Sequence, residues 1–282
     1  MRLSAFFDGS KAGAALLGVA LAVAACAPQP EPAGSDTAAK PTFVSLNPCL
    51  DALLVELADD DQILALSHYS RNPASSSIDS IVAARHGVTG GSAEEVLALQ
   101  ADIVLASTFM SPATRTAFER LGLRVETFGS PTSIDESLDQ VRRLAVLTGD
   151  THPERLLVNR IETIAERTPP ETTVATMLWQ PGQIVPGERT LIGQLLRLNG
   201  FTNATAERGL EQADFVALED VLAHPPELLL VAGGSAGQRN PALARLDTTR
   251  VEPFDPQLIY CGGPTIIAAD ERLRELRAEM IR

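Results

Sequence analysis

From residue 42 onward, short apolar runs alternate with stretches of helical spacing. Phe43–Leu46, Ile63–Leu66, Ile103–Ala106 and Val125–Phe128 read as buried strands, and the segments near 48–58, 93–100 and 112–121 read as helices between them. This alternation predicts a parallel sheet covered on both faces, because each crossover helix must pack back on the sheet it connects.

The alternation breaks at Ser133-Ile-Asp-Glu136, a capping box followed at helical spacing by Leu138, Val141, Leu144 and Ala145. Thr148-Gly149 ends that helix. A second box, Thr151-His-Pro-Glu154, opens another with Leu157, Ile161 and Ile164 on one side, and Pro169-Pro170 stops it. About 17 residues at 1.5 Å each span roughly 25 Å, enough to run between two small lobes. Strand–helix alternation then resumes with Thr173–Trp179 and Leu228–Val231 as strands, Thr190 to Gly200 as a capped helix, and a charged amphipathic helix from Pro264 to the end. The expected organisation is therefore α/β, with two parallel-sheet lobes (42–150 and 171–282) joined by a long rigid helix (151–170).

The first residues do not fit that scheme. The apolar run Ala12–Ala25 is too short and too rich in small residues for a membrane span, and suits the core of a signal peptide covering residues 1–25. It ends in Val23-Ala-Ala-Cys26, which resembles the bacterial lipobox, so Cys26 is the expected lipidation site; the plainer alternative is a signal peptide cut nearby with Cys26 incidental. Residues 26–41, dominated by Pro, Ala, Gly and Ser, read as a flexible tether. These features predict a periplasmic lipoprotein held at a membrane through its lipid alone.

Composition narrows the class further. A chain of 282 residues with 45% hydrophobic and 21% charged residues is ordinary globular protein, long enough for two lobes. A net charge of −13 without any Lys/Arg stripe argues against a nucleic-acid partner, since phosphate binding needs a basic surface.

Three segments carry a resemblance. Phe43-Val-Ser-Leu-Asn-Pro-Cys-Leu-Asp51 looks like the opening strand and turn of the substrate-binding proteins of ABC importers for cobalamin, ferric siderophores and haem. Thr89–Val104 is similar to that family's glycine turn with its Glu-led helix and strand, and Val216–Leu230 repeats the arrangement in the second half. The resemblance covers roughly residues 42–270. It implies a monomer that takes a corrinoid or ferric-chelate ligand between two lobes with little closure, holds no resident cofactor, and performs no catalysis. It also implies docking on an ABC permease through one exposed glutamate per lobe, Glu94 and Glu219. Glu94 is preferred to Glu95 because the box Ser92-Ala-Glu-Glu95 occupies the latter. The plainer alternative is that both carboxylates simply favour helix N-termini.

In parallel α/β lobes, ligands sit outside the carboxyl ends of the strands. That rule nominates Asn47, then His68 to Arg71 with Tyr69 among them, then Phe109, and in the second lobe Trp179, Gln180, the stretch to Arg239, and Tyr260. Aromatics make up only 4% of the chain, yet its single Trp and both Tyr fall at these ends, which favours a flat or amphipathic ligand. Arg71 and Arg239 are candidates for ligand carboxylates or amide oxygens. A siderophore would call for more arginines, haem would need an axial ligand such as His68 or Tyr69, and a corrinoid suits the aromatic and polar set best.

Cys49 and Cys261 form an even pair in an oxidising compartment, expected as a disulfide across the lobes, with reactive thiols as the alternative. Two thiols do not make a zinc site, and no metal site is expected. Gly233-Gly-Ser-Ala-Gly237 matches the nucleophile-elbow pattern, but no histidine follows His224 to serve as its base. The remaining alternatives are a bilobal metal chelatase or tetrapyrrole-handling enzyme, and an envelope adaptor without a small ligand.

Overall fold

The computed structural model describes residues 39–206 and 213–281. The chain divides into Met1–Ala38 and Ala39–Arg282. The signal segment, Cys26 and the tether as far as residue 38 belong to the first unit and lie outside the described residues.

In the second unit the first half builds a sheet of β1 (Phe43–Ser45), β2 (Ile63–Ser67), β3 (Val88–Thr89), β4 (Ile103–Ser107) and β5 (Val125–Phe128), all paired parallel in the order β3-β2-β1-β4-β5. The crossovers contain α1 (Pro48–Leu57), α2 (Ser80–Ala83), α3 (Ala93–Leu99) and α4 (Pro112–Arg120). Period-two alternation sends Phe43, Leu66, Ile103 and Leu105 to one face of the sheet and Val44, Ala65 and Val104 to the other, in two separate apolar clusters. This explains why the strands read as continuous apolar runs.

Two helices follow, α5 (Ile134–Thr148) and α6 (His152–Ala165), packed on each other. Ser133 caps α5 as its sequence predicts, its hydroxyl accepting from Glu136 N–H at 3.1 Å. The second box does not form. Thr151 offers no cap, its hydroxyl accepts from Arg155 instead, and Asp150 accepts the His152 N–H at 2.9 Å. The helix expected over 151–170 is also shorter, because α6 stops at Ala165 ahead of Pro169 and Pro170.

The second half forms β6 (Val174–Trp179), β7 (Ile184–Pro186), α7 (Leu191–Leu198), β8 (Phe201–Asn203), β9 (Ala213–Phe215), α8 (Leu218–Ala223), β10 (Leu228–Ala232), β11 (Arg250–Phe254) and α9 (Pro264–Met280). Its main sheet is parallel in the order β11-β10-β6-β8, and β7 with β9 makes a separate antiparallel ribbon. The architecture is thus mixed α/β with two parallel sheets, as the residue pattern predicts. One apolar cluster runs from Phe43 through α1, α5 and α6 to β6, β10 and α9, so the two sheets share a continuous core. Close packing of that kind resists relative motion of the sheets.

Candidate functional site

In the first sheet the chain winds outward from β1 in both directions, so the crevice between β1 and β4 at their carboxyl ends is a topological switch point. A cavity of about 270 Å³ occupies it, lined by Leu46 after β1, Ser67 at the end of β2 with His68 and Tyr69 after it, Ser107 at the end of β4 with Phe109 beyond it, and the Gly90-Gly91 turn. Gly91 has φ +82°, a left-handed backbone conformation that favours glycine in this turn. Tyr69 is 44% exposed and Phe109 80% exposed, which leaves two aromatic faces open at the rim. His68 stacks on Tyr69 with ring centroids 4.0 Å apart.

Two carboxyl groups bond to residues of this lining. Asp51 on α1 is fully buried; its carboxylate accepts from Ser67 N–H at 3.1 Å and Ser67 Oγ at 2.5 Å. Burial without a cationic partner pushes its pKa up to about 7, against the pull of the Ser45 and Ser67 hydroxyls. Glu95 accepts from Thr89 Oγ1 at 2.8 Å and Gly90 N–H at 2.7 Å, bonds that lower its pKa and brace the glycine turn.

A second cavity of about 360 Å³ lies where the two halves meet. It is lined by Cys49, by Ser130-Pro131-Thr132 after β5, by Gln180, Ile184 and Pro186, by the start of α7, and by Tyr260. The loops lining the two cavities adjoin, since Thr108 N–H donates to Phe128 O just before Ser130. Tyr260 is 53% exposed, and partial burial raises its hydroxyl pKa. Neither cavity is lined by any Lys, Arg, Asp or Glu among the described residues.

The second sheet does not mirror this arrangement. Its switch point, between β6 and β10, is plugged by the buried Gln238, whose Nε2 donates to the carbonyls of Trp179 at 3.0 Å and Ala232 at 2.5 Å. Gln238 Oε1 also accepts from Ser235 N–H at 2.8 Å, which holds the Gly233–Gly237 turn down.

The structure therefore brings Tyr69, Phe109, Gln180 and Tyr260 to the cavities and leaves Asn47, Arg71, Trp179 and Arg239 outside their lining. Trp179 is 0% exposed; its side chain alternates away from the cleft into the second lobe's core, where Nε1–H donates to Val216 O at 2.9 Å. Asn47 uses Oδ1 to cap α1, accepting from Cys49 and Leu50 N–H. Arg71 turns its guanidinium to His86 O at 2.6 Å and lines neither cavity. Arg239 is exposed on the loop that Gln238 closes and lines neither cavity. Glu94 and Glu219 are exposed in the first turns of α3 and α8. Cys49 and Cys261 are joined as a disulfide with Cα atoms 5.0 Å apart.

Residues 130–132 were within reach of the strand-end rule, which applies equally to Val125–Phe128. Ile184 and Pro186 were not, because a three-residue antiparallel strand leaves no period to detect. Among the described residues no cluster of His, Cys, Asp or Glu is arranged to hold a metal ion, and no helix is long and apolar enough to cross a membrane.

The sequence family described as periplasmic binding protein matches residues 43–250. The chain is 26% identical over 238 residues to a cobalamin-binding protein of Halobacterium salinarum, an alignment covering 79% of this chain and 61% of that protein. It is 28% identical over 200 residues to a vitamin B12-binding protein of Yersinia pestis, covering 67% of this chain and 69% of the relative. The chain thus spans about six tenths of the Halobacterium protein's length. Among solved structures, a periplasmic haem-binding protein of Vibrio cholerae superposes with a TM-score of 0.68 at 18% identity, covering 83% of this chain and 98% of that one. A periplasmic vitamin B12-binding protein of Vibrio cholerae gives 0.63 at 15% identity, covering 86% and 98%.

Proposed function

The chain belongs to the periplasmic binding protein family, and on that premise we propose that it captures a corrinoid along the carboxyl edge of its first sheet and delivers it to an ABC permease. The observation that carries this reading is the charge-free lining of both cavities among the described residues, set with exposed aromatic faces at Tyr69, Phe109 and Tyr260. A corrinoid presents a flat macrocycle fringed with neutral amides, which needs aromatic area and polar edges. Haem propionates and most ferric siderophores bring anionic groups that would go unpaired here, at a cost of several kcal/mol if buried. The names of the two sequence relatives point the same way.

A macrocycle wider than either cavity would span both, with Tyr69 and Phe109 at one end and Tyr260 at the other. The shared core beneath the lobes favours a preformed cleft with little closure. Glu94 and Glu219, exposed at helix starts in the two halves, are the proposed contacts to permease arginines, setting approach and register more than affinity. Lipidation at Cys26 would hold the protein at the membrane.

The test is calorimetric titration of the full chain with cyanocobalamin, cobinamide, haemin and a ferric catecholate. Corrinoid binding in the micromolar range or tighter, with the anionic ligands at least tenfold weaker, is the expected result. One observation favours haem as a second reading: the stacked His68–Tyr69 pair stands at the rim, where either side chain could reach an iron. Tighter binding of haemin, with a Soret shift lost in Tyr69→Phe, would replace the corrinoid reading by that one. Turnover of a bound ligand would overturn both in favour of an enzyme.

A further inference from the structure

We propose that the Cys49–Cys261 disulfide is a positioning element for ligand capture, fixing Tyr260 of the second half of the chain beside the part of the inter-lobe cavity wall that Cys49 and residues 130–132 of the first half supply. This rests on the reading that the inter-lobe cavity takes the ligand.

Tyr260 stands between Ile259 and Cys261, both buried, while its own ring stays half exposed over a cavity that Cys49 also lines. An exposed aromatic side chain on a loop normally samples several rotamers and backbone states, which a ligand must then order. Here the backbone around it is held to the first half at three places. Ser77 Oγ donates to Gln257 O at 2.7 Å, and Gln257 Nε2 donates to Pro73 O at 2.7 Å. At the other end Gly263 N–H donates to Ser137 Oγ at 2.7 Å. Between these anchors the disulfide ties Cys261 to the first turn of α1, and Cys49 Sγ lies 3.6 Å from Tyr260 O.

The glycines after Cys261 allow this close seating. Gly263 has φ +60°, and a Cβ on it would collide with Leu53 of α1, while one on Gly262 would collide with Ser137 and Pro131. The segment 257–263 is thus a strap from the second lobe laid on the first. The bond sits in its middle, one residue from the only strap side chain with a large exposed aromatic face. The covalent bond restricts the strap beside Tyr260 before ligand arrives, in addition to the hydrogen bonds at its ends and the burial of Ile259, and preordering of this kind appears mostly as slower dissociation.

The experiment compares the native full chain with Cys49→Ser/Cys261→Ser, Tyr260→Ala and the triple variant, using cyanocobalamin as the probe and amide hydrogen exchange as a ligand-free readout. Removing the bond should weaken cyanocobalamin roughly 5- to 10-fold, the size expected when one aromatic side chain must be ordered on binding. The triple variant should bind no worse than Tyr260→Ala alone, because without the ring the bond has nothing to position. Exchange should accelerate across 257–263 and stay unchanged in the buried turns of α5. Native protein reduced in place should behave as the double variant does, which separates the effect from any folding defect.

Additive losses in the triple variant, or unchanged exchange in the strap, would overturn the proposal. Native protein that fails to bind cyanocobalamin at all would refute the corrinoid reading instead. The exchange data would then decide the positioning claim by themselves, faster strap exchange upholding it and unchanged exchange ending it.

Discussion

Asp51 offers the sharpest quantitative test of the structure. Its carboxyl is fully buried behind the Ser67–Tyr69 wall, bonded to the Ser67 amide and hydroxyl and with no cation among its partners. Burial raises its pKa from the ordinary 3.8 to about 7. A carboxyl with a raised folded-state pKa keeps its proton in the native chain where the unfolded chain has lost it. Its contribution to stability is therefore complete below pH 3.8, declines as pH rises, and is gone above about 7. The interval of roughly 3 pH units, at 1.36 kcal/mol each, amounts to about 4 kcal/mol.

Asp51→Asn is the perturbation that isolates this effect. The amide keeps the shape, accepts from Ser67 N–H and donates to Ser67 Oγ, but does not titrate. Other carboxylates, Glu95, Asp102, Glu126 and Asp150, have lowered values and lose their stabilisation on acidification, so the wild-type profile alone would mix opposite trends. The difference between variant and wild type removes them. Measured by thermal or urea unfolding from pH 4 to 8, the variant should gain about 4 kcal/mol on wild type. At 2–4 °C per kcal/mol for a chain of this size, that is about 8–16 °C in Tm. A difference that stays flat across this range would show that Asp51 does not hold a proton in the native state, and would undo the account of an uncompensated buried carboxyl.

Two further predictions concern residues whose roles the sequence and the structure separate. Trp179→Phe strands the buried Val216 carbonyl and leaves a void, so it should cost about 2–4 kcal/mol in urea unfolding while leaving corrinoid affinity unchanged; weakened affinity in a stably folded variant would return Trp179 to the ligand site. Glu94→Ala with Glu219→Ala should spare ligand affinity and stability but reduce uptake in reconstituted membranes, and a loss of affinity in solution would count against their assignment to docking.

The chain's local pattern determined a great deal of this protein. Runs such as Ile103–Ala106 specified parallel strands because both faces of a covered sheet must be apolar, and Ser92, Ser133 and Thr190 marked helix starts because the orphan amides of a first turn need a nearby oxygen. The strand-end rule likewise led to Tyr69, Phe109 and Tyr260, since topology alone puts those positions at the sheet's carboxyl edge.

What sequence could not decide was which way each nominated side chain turns and what competes for it. Trp179 and Gln180 are neighbours on one strand end, yet alternation buries the Trp in the core and leaves the Gln beside the cavity. Asn47 and Arg71 have the right chemistry for a ligand, but a helix amide pair and a backbone carbonyl claim them first. The crevice at the switch point is open in one lobe and plugged by Gln238 in the other, although both follow parallel strand–turn segments. Only the long-range packing of loops, set by contacts between residues far apart in the chain such as Cys49 and Cys261, distinguishes a wall from a site.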